Sequence, residues 1–420
     1  MSLEYLNNRL QFAGQDITAV AEEFGTPLIV YDEAYMRHQM RRFHNVLSLK
    51  DIPYSVSYAS KAFSTLGMIQ ILEEENMELD VVSIGELYTA LKAGFEPEDI
   101  HFHGNNKTPE EISYALNHGV KFFVIDSVDE IGLIDSLASE TVDVLIRINP
   151  GIDVDTHEFI STGQEDSKFG LSLITGDALK AVKTINDSRH LNFKGLHYHL
   201  GSQLSVYAPF VNALIRVFDW LDAHEIEIDI LNMGGGYGIV YTEEDIPFPI
   251  EEGFDVIIDK LKQLCEQYER PVPHVMIEPG RSITAEAAVT VYKVGTIKTI
   301  PGVSKYVSVD GGMSDHIRTP LYGAEYEILP AELTDDENQE VHVVGKLCES
   351  GDIIGKNKVL PKNIKRGDLL VVKSTGAYHY SMASNYNQML KPAVVFINEE
   401  GIKEVVKRQS LEQLIQNDIL

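Results

Sequence analysis

The feature that most constrains the fold of this chain is an alternation of β-rich and helix-like segments between about residue 50 and residue 281. The intervening stretches, such as TLGMIQILEEEN and GELYTALKAG, repeat apolar residues at helical spacing. One of them, TPEEISYALNHG, has Thr108 as a cap, Pro109 in the first turn and Gly119 at its end. The eight strand candidates are YSVSYAS (54–60), ELDVVS (78–83), IHFHG (100–104), KFFVI (121–125), VDVLIRIN (142–149), FKGLHYHL (193–200), IDILNMG (228–234) and HVMIEPG (274–280).

Eight apolar strands alternating with helices predict a closed (β/α)8 barrel, the TIM-barrel fold. An open doubly wound sheet is the alternative, but the GxGxxG that usually follows its first strand is absent from the sequence. After about residue 284 the sequence changes to strands separated by turns, which is typical of a β-rich domain. TPLIVYD (26–32) reads as a further strand of that domain. We therefore predict an α/β barrel over residues 37–283 and a discontinuous β-rich domain formed by residues 1–36 and 284–420.

The charge and cysteine content narrow the classes of partner. The chain has 35 basic and 64 acidic residues and a net charge of −29, whereas nucleic acid and anionic membranes require a basic surface. No apolar run approaches the roughly 18 residues of a membrane span, and MSLEYLNNRLQ lacks the pattern of a signal peptide. Cys265 and Cys348 are the only cysteines, so no disulfide framework is expected. We expect a cytoplasmic protein that binds neither nucleic acid nor membrane.

The C-terminal ends of the predicted strands are where a barrel enzyme places its site. Lys61 follows the first strand in YASKAF, although a lysine at a strand end is most often simply solvated. GGGYG (234–238) follows the seventh strand, where backbone N–H groups commonly bind phosphate, with a tight turn as the alternative. The polar residues at the other strand ends are Asp80, Ser83, His103, Asn105, Arg147, Asn149, His197, His199, Ser202, Glu278 and Arg281.

A lysine, a phosphate loop and a carboxylate on separate strands together indicate pyridoxal 5'-phosphate (PLP). A lysine amine binds the aldehyde, and an acidic side chain such as Glu278 keeps the ring nitrogen protonated, so that the ring accepts electrons from a breaking bond at Cα. Each assignment has an alternative. Glu278 could pair with Arg281, and His199 taken alone would more often be a structural histidine. His197 is assigned no chemical role.

Nine motifs point to one family. They are YASKAF, DVVSIGEL, HGNNKT, STGQEDSKFG, GLHYHLGSQ, NMGGGYG, EPGRSI, CESGD and TGAYHYSMASNYN. On these motifs the chain resembles the fold-type III PLP-dependent decarboxylases, the class-II ornithine/lysine/arginine decarboxylase family, over nearly its whole length. Within that family it is similar to the members that act on meso-diaminopimelate. The resemblance implies a carboxy-lyase that forms L-lysine and CO2 in the last step of lysine biosynthesis.

The resemblance also implies roles for single residues at the cofactor. Lys61 resembles the Schiff-base lysine, His199 the histidine that lies on the ring, and Glu278 the partner of the ring nitrogen. Tyr378 is similar to a tyrosine that reaches both cofactor and substrate. The phosphate is implied to be held by Ser202, Gly236, Gly238 and the backbone of Glu278, Pro279, Gly280 and Arg281.

Further residues resemble the family's substrate-binding and dimer-crossing groups. Arg281, Arg318 and Tyr322 are implied to hold the distal end of the substrate, where two arginine forks suit a carboxylate. Cys348 and Glu349 of CESGD resemble a pair that crosses from the other subunit of a homodimer, with the thiol protonating Cα and Glu349 holding the distal ammonium. For Cys348 taken alone, a small buried apolar role is the alternative. Asp352 is implied to support the loop.

Other functions are weighed against this interpretation. A related decarboxylase of ornithine, arginine or carboxynorspermidine is the nearest, followed by a racemase, whose family places arginine where this chain has Glu278. A catalytically inactive relative would lose the lysine or the cysteine. No metal is expected, because the sequence has no HExxH and no clustered His/Cys set, although Asp153, Asp155 and His157 could be read as ligands. A serine triad has no GxSxG to support it.

Overall fold

The computed structural model describes residues 3–152 and 167–420. The chain divides into two compact units. The barrel unit consists of Gln39–Ile239 and Ile246–Gly280. The β-rich unit consists of Met1–His38, Val240–Asp245 and Arg281–Leu420. The segment Val240–Asp245 therefore lies inside the predicted barrel range but belongs to the β-rich unit.

The secondary structure alternates through the first two thirds of the chain and is almost all β thereafter. The strands are β1 (Leu3–Leu6), β2 (Arg9–Phe12), β3 (Gln15–Asp16), β4 (Leu28–Asp32), β5 (Tyr54–Ala59), β6 (Glu78–Val81), β7 (Ile100–Phe102), β8 (Phe122–Ile125), β9 (Val142–Asn149), β10 (Leu171–Ser172), β11 (Leu191–His197), β12 (Ile230–Asn232), β13 (His274–Ile277), β14 (Ala288–Ile300), β15 (Ser304–Val309), β16 (Ile328–Pro330), β17 (Asn338–Val344), β18 (Ile353–Pro361), β19 (Leu369–Lys373), β20 (Ala393–Asn398) and β21 (Gly401–Val406). The helices are α1 (Ile17–Phe24), α2 (Glu33–Ser48), α3 (Leu66–Glu74), α4 (Ile84–Ala93), α5 (Pro109–His118), α6 (Val128–Leu137), α7 (Asp177–Asn186), α8 (Ala208–Ala223), α9 (Ile250–Gln267), α10 (Arg281–Thr284), α11 (Arg318–Tyr322) and α12 (Leu411–Leu414).

The barrel unit is a closed ring of parallel strands. Strands β5, β6, β7, β8, β9, β11, β12 and β13 pair in that order, and β13 returns to pair with β5, where Val275 lies opposite Tyr54. The two-residue strand β10 pairs with β9 and is not one of the eight strands of the barrel. All eight predicted strands are present, so the predicted barrel is confirmed. Parallel strands covered by helices read as continuous apolar runs because both of their faces are buried.

Local signals in the sequence set the ends of the barrel helices. At α5, the side chain of Thr108 accepts from the N–H of Glu111, and the Glu111 side chain accepts in return from the N–H of Thr108. Gly119 ends that helix in the left-handed conformation, at a φ of 73° that a side chain would disfavour. The predicted start and stop of this helix are confirmed.

The β-rich unit is built around the long strand β14. Strand β4 from the N-terminal segment lies between β14 and β20, antiparallel to the first and parallel to the second. Alternate side chains of β14 enter two apolar clusters, Val289 and Val291 on one face and Tyr292 and Val294 on the other. Because successive side chains of a strand point to opposite faces, apolar residues of β14 are buried on both faces of this sheet.

Across residues 3–152 and 167–420, no helix has the combination of length and apolar character that crossing a membrane would require.

Candidate active site

The structure places Lys61 on a short 3₁₀ turn, Ser60–Ala62, directly after β5. Its side chain is exposed and lines a cavity of about 760 Å³ at the C-terminal ends of the barrel strands. The strand-end residues Asn105, Arg147, Asn149 and His199 line the same cavity, so the barrel brings together polar groups that are far apart in sequence. Such convergence is what the eightfold repeat predicts for this face of the barrel.

Glu278, the first residue after β13, is buried at the centre of a ring of nitrogen groups. Its Oε1 accepts from Nδ2 of Asn232 at 2.7 Å and lies 3.1 Å from Nε2 of His103, while its Oε2 lies 3.1 Å from Nε2 of His197. A carboxylate offers about four acceptor positions, so three neighbouring nitrogens leave capacity for one further donor. The predicted partner of a ring nitrogen is therefore a fixed and ordered carboxylate.

The electrostatics keep this carboxylate ionised. Burial alone would raise the pKa of Glu278, but His103 and His197 outweigh burial and hold the pKa well below its usual range. Burial would likewise lower the pKa of His103, yet Glu278 and Asp80 outweigh burial and raise that pKa above its usual value. Burial lowers the pKa of His197 to about 4, so that ring is neutral at pH 7. A stable negative charge results, suited to holding a protonated ring nitrogen.

His199 is fixed by the glycine loop. Its Nδ1 accepts a hydrogen bond from the N–H of Gly235 at 3.3 Å, which places the ring proton on Nε2. Burial, Lys61 and Arg147 lower the pKa of His199 well below its usual value, so the ring is neutral. A neutral imidazole held by a backbone amide presents a flat face of fixed orientation.

The glycines of GGGYG are required by close backbone approach. Gly234 and Gly236 have φ values of 66° and 102°, in the left-handed region. A Cβ at Gly235 would overlap the backbone oxygen of Glu278, and one at Gly238 would lie 2.8 Å from the oxygen of Leu204. The loop is thus pressed against the ends of neighbouring strands, and the N–H groups of Gly234, Gly235 and Gly238 donate to the side chains of Asn232 and His199 and to the oxygen of Leu204.

The remaining phosphate candidates also lie at this end of the barrel. Ser202 is exposed and follows Gly201, which lines the cavity. Pro279 and Gly280 are buried against the end of β5, where the oxygen of Pro279 accepts from the N–H of Ala59 at 3.3 Å.

The β-rich unit contains a second group of candidate residues. Tyr378 has a φ of 63°, and the guanidinium carbons of Arg281 and Arg318 lie 4.9 and 5.3 Å from the centre of its ring. Arg318 is also 5.3 Å from the ring of Tyr322 and donates from Nε to the Tyr326 hydroxyl at 2.8 Å. The structure therefore brings Arg281 and Arg318 to the ring of Tyr378, and Arg318 also contacts Tyr322.

The CESGD loop is held by a buried carboxylate. Asp352 accepts from the N–H of Met313 at 2.6 Å and from the N–H of Leu347 at 2.8 Å, tying two loops together. Cys348 and Glu349 follow Leu347 and are exposed, whereas Cys265 is buried. Exposure of Cys348 argues against the alternative of a buried apolar residue.

The sequence named His103 and His197 as strand-end residues without a role at Glu278, and it did not name Asn232. His103, His197 and Glu278 place ligand atoms within 4.8 Å of one another, although the sequence predicted no clustered histidines. Hydrogen bonding and ion pairing to Glu278 account for this proximity without a metal. Asn232 gave no signal beyond its place at the end of the seventh barrel strand. Asp153, Asp155 and His157 lie outside the described residues.

Comparison with known proteins identifies the class. Residues 33–285 match the family described as "Pyridoxal-dependent decarboxylase, pyridoxal binding domain". Since that match covers more than half of the chain, the chain belongs to the pyridoxal-dependent decarboxylases, and the predicted family and cofactor are confirmed.

Full-length relatives narrow the family further. The chain is 54% identical over 419 residues to the diaminopimelate decarboxylase of Staphylococcus aureus (strain COL), with 100% of both chains covered. It is 45% identical over 421 residues to that of Bacillus subtilis (strain 168), covering 98% of this chain and 96% of the relative. The crystal structure of diaminopimelate decarboxylase from M. jannaschii in co-complex with L-lysine matches with a TM-score of 0.94 and 35% identity, covering 100% of this chain and 98% of that one. These three proteins are diaminopimelate decarboxylases, and the matches cover at least 96% of each of them.

Proposed function

We propose that this chain removes CO2 from meso-diaminopimelate and releases L-lysine, with PLP as cofactor. The observation that carries the proposal is the buried, ionised Glu278, which has capacity for one further donor at the same barrel face as Lys61. The family match and the full-length relatives support the same reaction. We also propose that the enzyme works in the cytoplasm.

The residues at the barrel mouth fit the cofactor. Lys61 supplies the amine for the aldehyde, and the glycine loop, in which a Cβ at Gly235 or Gly236 would overlap neighbouring backbone oxygens, supplies the proposed backbone of the phosphate site. When bound, PLP accepts the electron pair left at Cα as the carboxylate departs. Glu278 holds the proton on the ring nitrogen, which strengthens that electron sink, and neutral His199 offers a face against which the ring is oriented. Ser202 and the backbone of residues 278–281 complete the proposed phosphate site.

The β-rich unit supplies the proposed substrate contacts. Arg281, Arg318, Tyr322 and Tyr378 hold the distal carboxylate, because a guanidinium donates two parallel hydrogen bonds to it. Cys348 returns a proton from its thiol to Cα, and Glu349 binds the distal ammonium. The exposure of both loop residues supports a role toward a group outside their own loop.

We propose further that the enzyme is a homodimer in which Cys348 and Glu349 reach the site of the other subunit. Mixing two inactive variants, Lys61→Ala and Cys348→Ala, tests this arrangement. Random reassociation makes half of the dimers mixed, each with one intact site, so about a quarter of wild-type activity returns. If lysine and cysteine act within one chain, mixing restores nothing.

A decarboxylation assay tests the reaction itself. The holoenzyme is supplied separately with meso-, L,L- and D,D-diaminopimelate, and with ornithine and arginine as matched controls that lack a distal carboxylate. We expect CO2 and L-lysine from the meso isomer. Release of CO2 from ornithine or arginine at an equal or higher kcat/KM would contradict the proposed substrate.

A further inference from the structure

A chain of hydrogen bonds runs through two buried histidines of the β-rich unit. Nδ1 of His379 lies 3.0 Å from the backbone oxygen of Ala377, and its Nε2 lies 3.1 Å from Nδ1 of His316. Nε2 of His316 lies 3.1 Å from Oγ1 of Thr319. We call this chain from Ala377 to Thr319 the histidine bridge. It contains no carboxylate, so it is not an acid–histidine pair of the usual catalytic kind.

The two ends of the histidine bridge adjoin two proposed substrate residues. His379 directly follows Tyr378, and Thr319 directly follows Arg318 at the start of α11. The guanidinium of Arg318 lies 5.3 Å from the centre of the Tyr378 ring. Through the two buried histidines, the bridge therefore connects the segment around Tyr378 with the segment around Arg318. The separation of these segments sets the distance between Arg318 and Tyr378.

Tyr378 needs such support because of its backbone. Its φ of 63° lies in the left-handed region, which an L-residue with a large side chain rarely adopts. Burial of His379 and its bond to the oxygen of Ala377 hold the residues on either side of Tyr378. Strained backbone persists where its surroundings fix it, and such positions concentrate at functional sites.

The protons of the histidine bridge fix its direction. The oxygen of Ala377 only accepts, so His379 carries its proton on Nδ1 and accepts at Nε2. His316 then donates from Nδ1 and leaves Nε2 as an acceptor 3.1 Å from Oγ1 of Thr319, whose hydroxyl also lies 2.9 Å from the oxygen of Ala324 and 3.2 Å from that of Ile354. Burial lowers the pKa of both imidazoles, and Arg318 lowers them further, so both are neutral at pH 7. One proton on each imidazole fills the two bonds that link His316 through His379 to the oxygen of Ala377.

We propose that His316, His379 and Thr319 are positioning residues that set the distance between Arg318 and Tyr378 and thereby select substrates with a distal carboxylate. The inference rests on the proposed function, because that function assigns the carboxylate to Arg318 and Tyr378. None of the three positioning residues is expected to touch the cofactor or the reacting Cα. Losing one of them should weaken binding of the distal carboxylate more than it slows chemistry.

The matched variants His316→Leu and His316→Asn test this role. Asparagine retains an amide donor in place of Nδ1–H, whereas leucine removes it. Decarboxylation at one end of diaminopimelate leaves the other carboxylate in L-lysine, while 1,5-diaminopentane has none. Binding of both compounds to the PLP-loaded holoenzyme is measured by calorimetry, which requires no turnover.

We expect His316→Leu to weaken L-lysine binding about tenfold, the effect of losing one well-placed hydrogen bond of about 1.4 kcal/mol, with diaminopentane binding changed by less than about twofold. His316→Asn should recover most of the L-lysine affinity, and KM for diaminopimelate should rise in the leucine variant with kcat changed less. Unchanged L-lysine binding in folded His316→Leu, or equal losses for both compounds, would overturn the inference.

If the leucine variant does not fold, the partly buried end of the bridge offers a second pair. Thr319→Val removes the hydroxyl at nearly constant shape, and Thr319→Ser keeps it. L-lysine binding should weaken in the valine variant and be retained in the serine variant; the reverse order or no difference would refute the inference. Failure of the wild-type enzyme to release CO2 would instead refute the proposed function, since these binding measurements do not depend on turnover.

Discussion

Replacing Glu278 with glutamine changes the one charge on which the proposed chemistry depends. The amide keeps one oxygen, which can still accept from Asn232, but it presents an NH2 group toward Nε2 of His197. Two acceptor positions are lost, one for His197 and one for the cofactor's ring nitrogen. Hydrogen bonds to charged groups contribute about 1.5–3 kcal/mol each, so the ring-nitrogen loss alone predicts a fall in kcat of roughly 10- to 100-fold.

The assay is CO2 release under single-turnover conditions, with bound cofactor quantified by its absorbance. Glu278→Asp is the matched control, because it keeps the charge and shortens the side chain by one methylene. We expect the aspartate variant to retain more activity than the glutamine variant at equal cofactor content. A glutamine variant that binds PLP fully and turns over within about threefold of wild type would refute the assigned role of the carboxylate.

Four further outcomes follow from the same geometry. Lys61→Ala should lose turnover and retain cofactor poorly after dialysis, as measured by absorbance; sustained turnover would refute its role. Cys348→Ser should lower kcat while leaving L-lysine affinity nearly unchanged, because a hydroxyl is a weaker acid than a thiol. A kcat equal to that of the wild-type enzyme in stopped assays would refute proton return from the thiol. Gly235→Ala should lower the free energy of unfolding by about 1–3 kcal/mol, since its Cβ overlaps the backbone oxygen of Glu278; an unchanged chemical denaturation curve would contradict this. Burial lowers the pKa of His316 to about 3 from its usual 6.5. As the pH falls, the unfolded chain therefore binds a proton at His316 before the folded chain does. The stability present above pH 6.5 is lost on acidification, by about 1.4 kcal/mol at pH 5.5. His316→Asn should show a smaller loss between pH 7 and pH 5.5 in urea unfolding, and an equal loss would contradict the assignment.

The barrel could be predicted because its signal is local and repeated. Each parallel strand is buried on both faces, which gives apolar runs such as VDVLIRIN, and each helix has its own start and stop residues. Strand ends then follow from topology, which is why Lys61, His199 and Glu278 could be named as one group. Strands β1, β2, β3, β10, β16, β18 and β21 were not anticipated.

The contacts around Glu278 could not be predicted from the sequence. His197 and Asn232 lie on neighbouring strands, and only the register of β11 and β12, which pairs these two residues, brings both to one carboxylate. The His316–His379 contact joins positions 63 residues apart in two loops, where no period constrains the side chains. Long-range pairing of polar groups depends on tertiary geometry that no sequence window contains.

The most direct measurement locates the amine that binds the cofactor. Reduction of the PLP-loaded enzyme with borohydride makes the lysine–cofactor bond permanent, and peptide mass spectrometry then finds the modified residue. The account predicts a pyridoxyl group on Lys61 and on no other lysine. Modification of a different lysine, or none at all in enzyme that releases CO2, would contradict it.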